Sequence, residues 1–83
     1  MKRSRAEVIM AILSAAVGGA GKTKIMYTVN MNLASFNKYL RELAEAGLVV
    51  KVAGSNDKVV YRTTEGGKRL LQLLEKAEEF VSV

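Results

Sequence analysis

The residues of this chain that could do chemistry are mostly cations. Thirteen Lys and Arg stand against eight Asp and Glu, for a formal net charge of +5 and a pI near 9.8. Histidine and cysteine are both missing. Without histidine the commonest general base and metal ligand are gone, and without cysteine there is neither a thiolate nor a disulfide framework. The acids form no obvious catalytic pair, because Glu75, Glu78 and Glu79 sit together on what reads as one solvated helix face. The sequence therefore predicts a binding protein rather than an enzyme, with no cofactor and no metal. A basic excess of this size favours a polyanion, either nucleic acid or an anionic membrane. The excess is uneven. Ten cations face four acids from Met1 to Thr64, whereas Lys68, Arg69 and Lys76 face Glu65, Glu75, Glu78 and Glu79 in the tail. Gly21-Lys22-Thr23 resembles the end of a phosphate-binding P-loop, but that motif needs a Gly where Ala16 stands, and a helical pattern precedes it instead of a strand.

The elements that must position these cations can be read from periodicity and punctuation. The 83 residues fit one domain over 1–83, and a hydrophobic content of 49% is too high for a disordered chain. Lys2, Arg3 and Arg5 before the apolar stretch Val8–Val17 resemble a signal peptide. A first amphipathic helix is the preferred reading, since cleavage would strip a core helix from an already small domain. No apolar run approaches the roughly 18 residues of a membrane span. Ser4 and Glu7 form a capping box, after which Val8, Ile9, Ile12, Leu13 and Ala16 share one helical face. Gly18, Gly19 and Gly21 then make a loop.

A short second helix is expected over about Thr23–Val29, with Ile25, Met26 and Val29 inside. Asn30-Met31-Asn32 is a tight connection, and Asn32 is a good N-cap. The third helix, Leu33–Ala46, carries Leu33, Phe36, Leu40 and Leu43 as a core stripe, with Gly47 at the left-handed C-cap position. Its opposite face centres on Ala34, Ser35, Lys38, Arg41, Glu42 and Glu45. The period then changes to two. Leu48, Val50 and Val52 share a face, as do Val59 and Tyr61, and Ala53–Asp57 between them is turn-forming, so the segment reads as a β-hairpin. Thr64 opens a last helix, Glu65–Phe80. Its apolar residues Leu70, Leu71, Leu73, Leu74, Ala77, Phe80 and Val81 cover nearly half the helix, more than the roughly 100° one groove requires, so it also packs against something else.

The order is helix, helix, tight turn, helix, hairpin, helix. A short helix, a three-residue turn and a longer helix match a helix-turn-helix, and a hairpin directly after is a wing. The fold class is α+β, mostly helical: a winged helix-turn-helix with a three-helix core, a hairpin wing and a C-terminal helix. The sequence also resembles the archaeal winged-helix DNA-binding proteins and transcriptional regulators, from about Val8 to Leu74. The resemblance rests on Lys22-Thr23-Lys24-Ile25-Met26-Tyr27, on Asn32 through Leu40, on Leu43-Ala44-Glu45-Ala46-Gly47-Leu48-Val49, and on Tyr61-Arg62-Thr63-Thr64-Glu65-Gly66-Gly67-Lys68. It implies a cytoplasmic, nucleoid-associated protein that binds double-stranded DNA. It also implies dimerisation through the C-terminal helix, residues 65–83, for which Leu70, Leu73, Leu74, Ala77, Phe80 and Val81 are the candidates.

On this reading Ala34, Ser35, Asn37, Lys38 and Arg41 meet the major groove, while Lys22, Lys24, Lys51, Lys58 and Arg62 hold phosphates, with Ser55 and Asn56 at the wing tip. Plainer alternatives stand beside each. Lys38 and Arg41 could pair with Glu42 and Glu45 one turn on. Lys51, Lys58 and Arg62 could merely protect sheet edges. Lys2, Arg3 and Arg5 are either a basic arm or an unstructured start. Tyr27, Tyr39 and Tyr61 read as core-edge packing, which argues against a base-stacking surface for single-stranded RNA. No small-molecule site is evident. The leading expectation is a transcriptional regulator. A non-specific architectural chromatin protein shares its fold and charge, and a protein-docking module shares its fold alone.

Overall fold

A computed structural model describes residues 3–81 of the chain. Helix α1 spans Arg5–Ala15, α2 Lys22–Val29 and α3 Leu33–Glu45; strands β1 (Val49–Ala53) and β2 (Val59–Thr63) follow, and α4 runs from Glu65 to Val81. Local chemistry sets each boundary. The Glu7 amide donates to Ser4 Oγ at 3.1 Å and the Ser4 amide donates to the Glu7 carboxylate at 3.2 Å, which closes the capping box of α1. Asn30 ends α2 in the left-handed conformation (φ 56, ψ 57), which asparagine tolerates better than most residues. Asn32 Oδ1 accepts from the Ser35 amide at 2.9 Å and starts α3. Gly47 follows α3 with φ +75, the left-handed position a glycine supplies without steric cost.

The core is built where the three helices meet. Ile12, Leu13, Ile25, Val29 and Phe36 are all but fully buried, joined by Val8, Ala16, Leu40, Leu43, Val49 and Leu71. Two apolar residues depart from expectation. Leu33 is 57% exposed instead of completing the α3 stripe. It is the first residue of the helix, one turn before Phe36, and there the stripe runs off the end of the core. Tyr27 is 76% exposed, because it lies about 200° around α2 from Ile25, opposite the buried side.

The strands pair antiparallel with Val49 opposite Thr63, Lys51 opposite Tyr61 and Ala53 opposite Val59. Ala20 adds a one-residue third strand: its amide donates to the Tyr61 carbonyl at 3.0 Å and its carbonyl accepts from the Tyr61 amide at 2.8 Å. The glycine-rich segment expected to be only a loop therefore anchors the hairpin to the helices. Thr63 fastens its base. Buried Thr63 Oγ1 donates to the Leu13 carbonyl at 2.6 Å and the Thr63 amide donates to the Ala16 carbonyl at 2.9 Å, which satisfies two groups at the end of α1. The far end of the hairpin closes through a single 3-10 turn, Ser55–Asp57.

Thr64 links α4 to this base, donating to the Gly47 carbonyl at 2.7 Å while accepting from the Gly67 amide at 3.1 Å. The approach is close enough to require glycine at 67. A Cβ there would lie 2.2 Å from the Leu48 carbonyl oxygen and 2.7 Å from Thr63 Cγ2. Leu71 is buried and Leu70 and Leu74 half-buried, but every residue from Glu75 to Val81 is exposed, so the last turns of α4 leave the body of the protein. No helix among the described residues is long and apolar enough to cross a membrane.

Candidate nucleic-acid interface

Helix α3 sorts its residues by angle. Phe36, Leu40 and Leu43 face the core, while Ala34, Lys38, Arg41 and Glu45 are exposed on the side away from it. Ser35 and Asn37 are half-buried on the two flanks of that outer face. The Ser35 amide is already taken by the Asn32 cap.

Asn37 looks toward the hairpin. With Arg41, Leu40 and Ala44 of α3, Lys22 of α2, Lys51 of β1 and Tyr61 of β2, it lines an open concavity of about 560 Å³. Three cations from three elements therefore surround one groove, whose floor is apolar. Lys22 is also the first residue of α2, whose cap Gly21 supplies no side-chain acceptor to the first amides. Such a helix start favours anions. Lys51 and Tyr61 share a hairpin face because they are directly paired.

The remaining candidates lie elsewhere. Arg62 pairs with Val50 on the opposite hairpin face, and its guanidinium sits beside Gly19, where a Cβ would meet Arg62 Nε at 3.7 Å. Ser55 and Asn56 are exposed at the wing tip with Lys58 just beyond, and Lys24 is exposed on α2. The structure thus brings Lys22, Asn37, Arg41 and Lys51 together, sets Ala34 and Lys38 beside them along α3, and leaves Lys24, Lys58 and Arg62 outside the groove.

The electrostatics of α3 turn on Glu42. Pairing of Lys38 with Glu42 and of Arg41 with Glu45 does not occur. The ion pairs among the described residues are Arg5–Glu42 at 3.3 Å and Lys68–Glu65 at 3.5 Å. Lys22, Lys24, Lys38, Arg41, Lys51, Lys58 and Arg62 carry no carboxylate partner among those residues. The bond to Glu42 raises the Arg5 guanidinium further above its ordinary pKa, and the Glu42 charge adds to the effect.

Of the N-terminal cations, Arg3 and Arg5 are engaged by the fold itself. Arg3 donates to the Val29 carbonyl and, at 3.5 Å, to the Asn30 carbonyl, compensating the negative end of α2. Arg5 reaches Glu42 and lies over the Tyr39 ring, 5.3 Å from its centroid. Lys2 lies outside the described residues. No short-range signal announces these contacts, since Arg5 and Glu42 are 37 positions apart.

Three helices with a hairpin behind the third, and a cationic outer face on that helix, define a winged-helix domain. The chain matches the winged helix-turn-helix family over residues 2–82 and belongs to it. An uncharacterized protein of Methanocaldococcus jannaschii is 35% identical over 82 residues, which cover 98% of this chain and 79% of that one. Among solved structures, Sso10a-2, a DNA-binding protein from Sulfolobus solfataricus, superposes with a TM-score of 0.84 at 28% identity, covering 94% of this chain and 81% of its own. A variant of MarR from E. coli, solved with operator DNA, shares the fold with a TM-score of 0.71 at 20% identity, covering 94% of this chain and 56% of that one.

Proposed function

We propose that this chain binds duplex DNA as a transcriptional regulator, with α3 in the major groove and the hairpin wing on the backbone. The observation that carries this reading is the outer face of α3, where Lys38 and Arg41 stand exposed without carboxylate partners among the described residues, next to the groove ringed by Lys22 and Lys51. Lysine and arginine in that setting supply charge for phosphates and donors for base edges, chiefly guanine O6 and N7. The likeness to Sso10a-2, itself a DNA-binding protein, supports it.

The whole chain acts as one winged-helix unit in this account, with residues 65–83 as the element through which two copies join. Leu70, Leu73, Leu74, Ala77, Phe80 and Val81 supply the apolar contact, which places a DNA-binding face on each side of a two-fold axis. Half-sites one helical turn apart, ~34 Å, would then suit the pair. The protein belongs in the cytoplasm, on the nucleoid.

Equilibrium binding to a labelled duplex tests the reading through Lys38→Ala and Arg41→Ala. Each should weaken binding by about 1–3 kcal/mol if it touches bases. Unchanged affinity in both would rule out this docking. Cations spread over α2, α3 and the hairpin also suit an architectural protein that binds any sequence. Competition separates the two, because a regulator prefers its own site by roughly a thousandfold or more.

A further inference from the structure

Glu42 follows directly on the cation-bearing stretch of α3, next to Arg41 and four residues after Lys38. Helical spacing puts its carboxylate within reach of the Lys38 ammonium one turn back. A bond there would neutralise a cation that α3 offers to DNA and set a negative charge against the phosphates. The structure sends Glu42 the other way. Arg5, in the first turn of α1, approaches both carboxylate oxygens from one guanidinium nitrogen, at 3.3 and 3.4 Å. The same guanidinium rests over the Tyr39 ring, so α3 holds Arg5 by two side chains on its α1 flank.

The pair is too exposed to contribute much stability, with Arg5 63% and Glu42 33% accessible. Its consequence lies in where the charge goes. We propose that Arg5 is a positioning residue for the DNA-binding face: it draws Glu42 to the α1 flank of α3 and leaves Lys38 free to meet DNA. The inference rests on α3 being the helix that faces DNA. It makes α1 part of the interface without any contact between α1 and the nucleic acid.

The test measures duplex affinity across a salt series for the wild type, Arg5→Gln, Glu42→Gln and the double variant, with a thermal melt of each. Arg5→Gln should bind about three- to tenfold more weakly at low salt, with a slope of log affinity against log salt shallower by about 0.9, the share of one phosphate contact. In the Glu42→Gln background the same change should cost less than about twofold, because no carboxylate remains to capture Lys38. Arg5→Lys, which keeps a cation for Glu42, should stay within about twofold of wild type. Melting temperatures should agree within a few degrees, whereas a purely structural role would lower the melt and leave the salt slope unchanged.

An equal loss in both backgrounds would mean that Arg5 touches DNA itself, and would overturn the proposal. Wild-type binding with no effect of Arg5→Gln would overturn it alone. Failure of the wild type to bind duplex at any salt would remove the reading of α3, and this inference with it.

Discussion

Helices α3 and α4 are both amphipathic, yet they treat their apolar residues in opposite ways. On α3, Phe36, Leu40 and Leu43 are covered by the rest of the chain, and beyond Leu33 at its first position the large exposed side chains are the charged Lys38, Arg41 and Glu45. Of the large apolar side chains on α4, only Leu71 is buried, while Leu73 is 65% exposed, Phe80 86% and Val81 78%. An isolated exposed leucine on a protein surface is ordinary, but several on the projecting end of one helix form a patch. One helix finds its apolar partner within the chain and presents charge outward. The other projects apolar surface that a second chain would cover. On the function proposed above, the contrast separates the part that would meet nucleic acid from the part that would meet a second chain.

The sharpest way to break this comparison is to remove the cover that α3 enjoys. Phe36→Ala should cost about 3–5 kcal/mol of unfolding free energy by denaturant titration, the cavity left by a fully buried ring. Charging the bare surface of α4 should spare the fold and attack assembly. Leu73→Asp with Phe80→Asp should give a monomer by sedimentation at concentrations where the wild type dimerises, with duplex affinity lower by roughly a hundredfold as the second contact is lost. Lys38→Ala or Arg41→Ala should reduce affinity by about 1–3 kcal/mol with little change in melting. Leu33→Ser should change stability by no more than about 0.5 kcal/mol, since that side chain is mostly solvated. A large loss there would place Leu33 back in the core stripe.

The punctuation of the fold was legible because it is local. Ser4, Asn30, Asn32, Gly47 and Thr64 each act on the backbone within a few residues, and the structure uses them so. What escaped depends on distance in the chain. Ala20 pairs with Tyr61 through a single residue, too short to leave a periodic trace. Leu33 matches the stripe by spacing, but spacing does not reveal where neighbouring helices stop. Glu42 has a candidate partner four residues away and binds one 37 residues away, a choice made by the fold bringing the first turn of α1 beside Glu42 and Tyr39. The basic candidates could be named from charge and order of elements. Their division into a groove set and an outlying set follows from how the elements pack, and on the hairpin from strand register, which puts Lys51 and Arg62 on opposite faces.

The claim that the cations of α3 and its groove meet DNA is tested most directly by fluorescence anisotropy with a labelled duplex across a salt series, with single-stranded RNA alongside. Contact with phosphates predicts a steep fall in affinity as salt rises, and a clear preference for the duplex. Absence of duplex binding even at low salt would contradict the account and turn attention to a protein partner for the same fold.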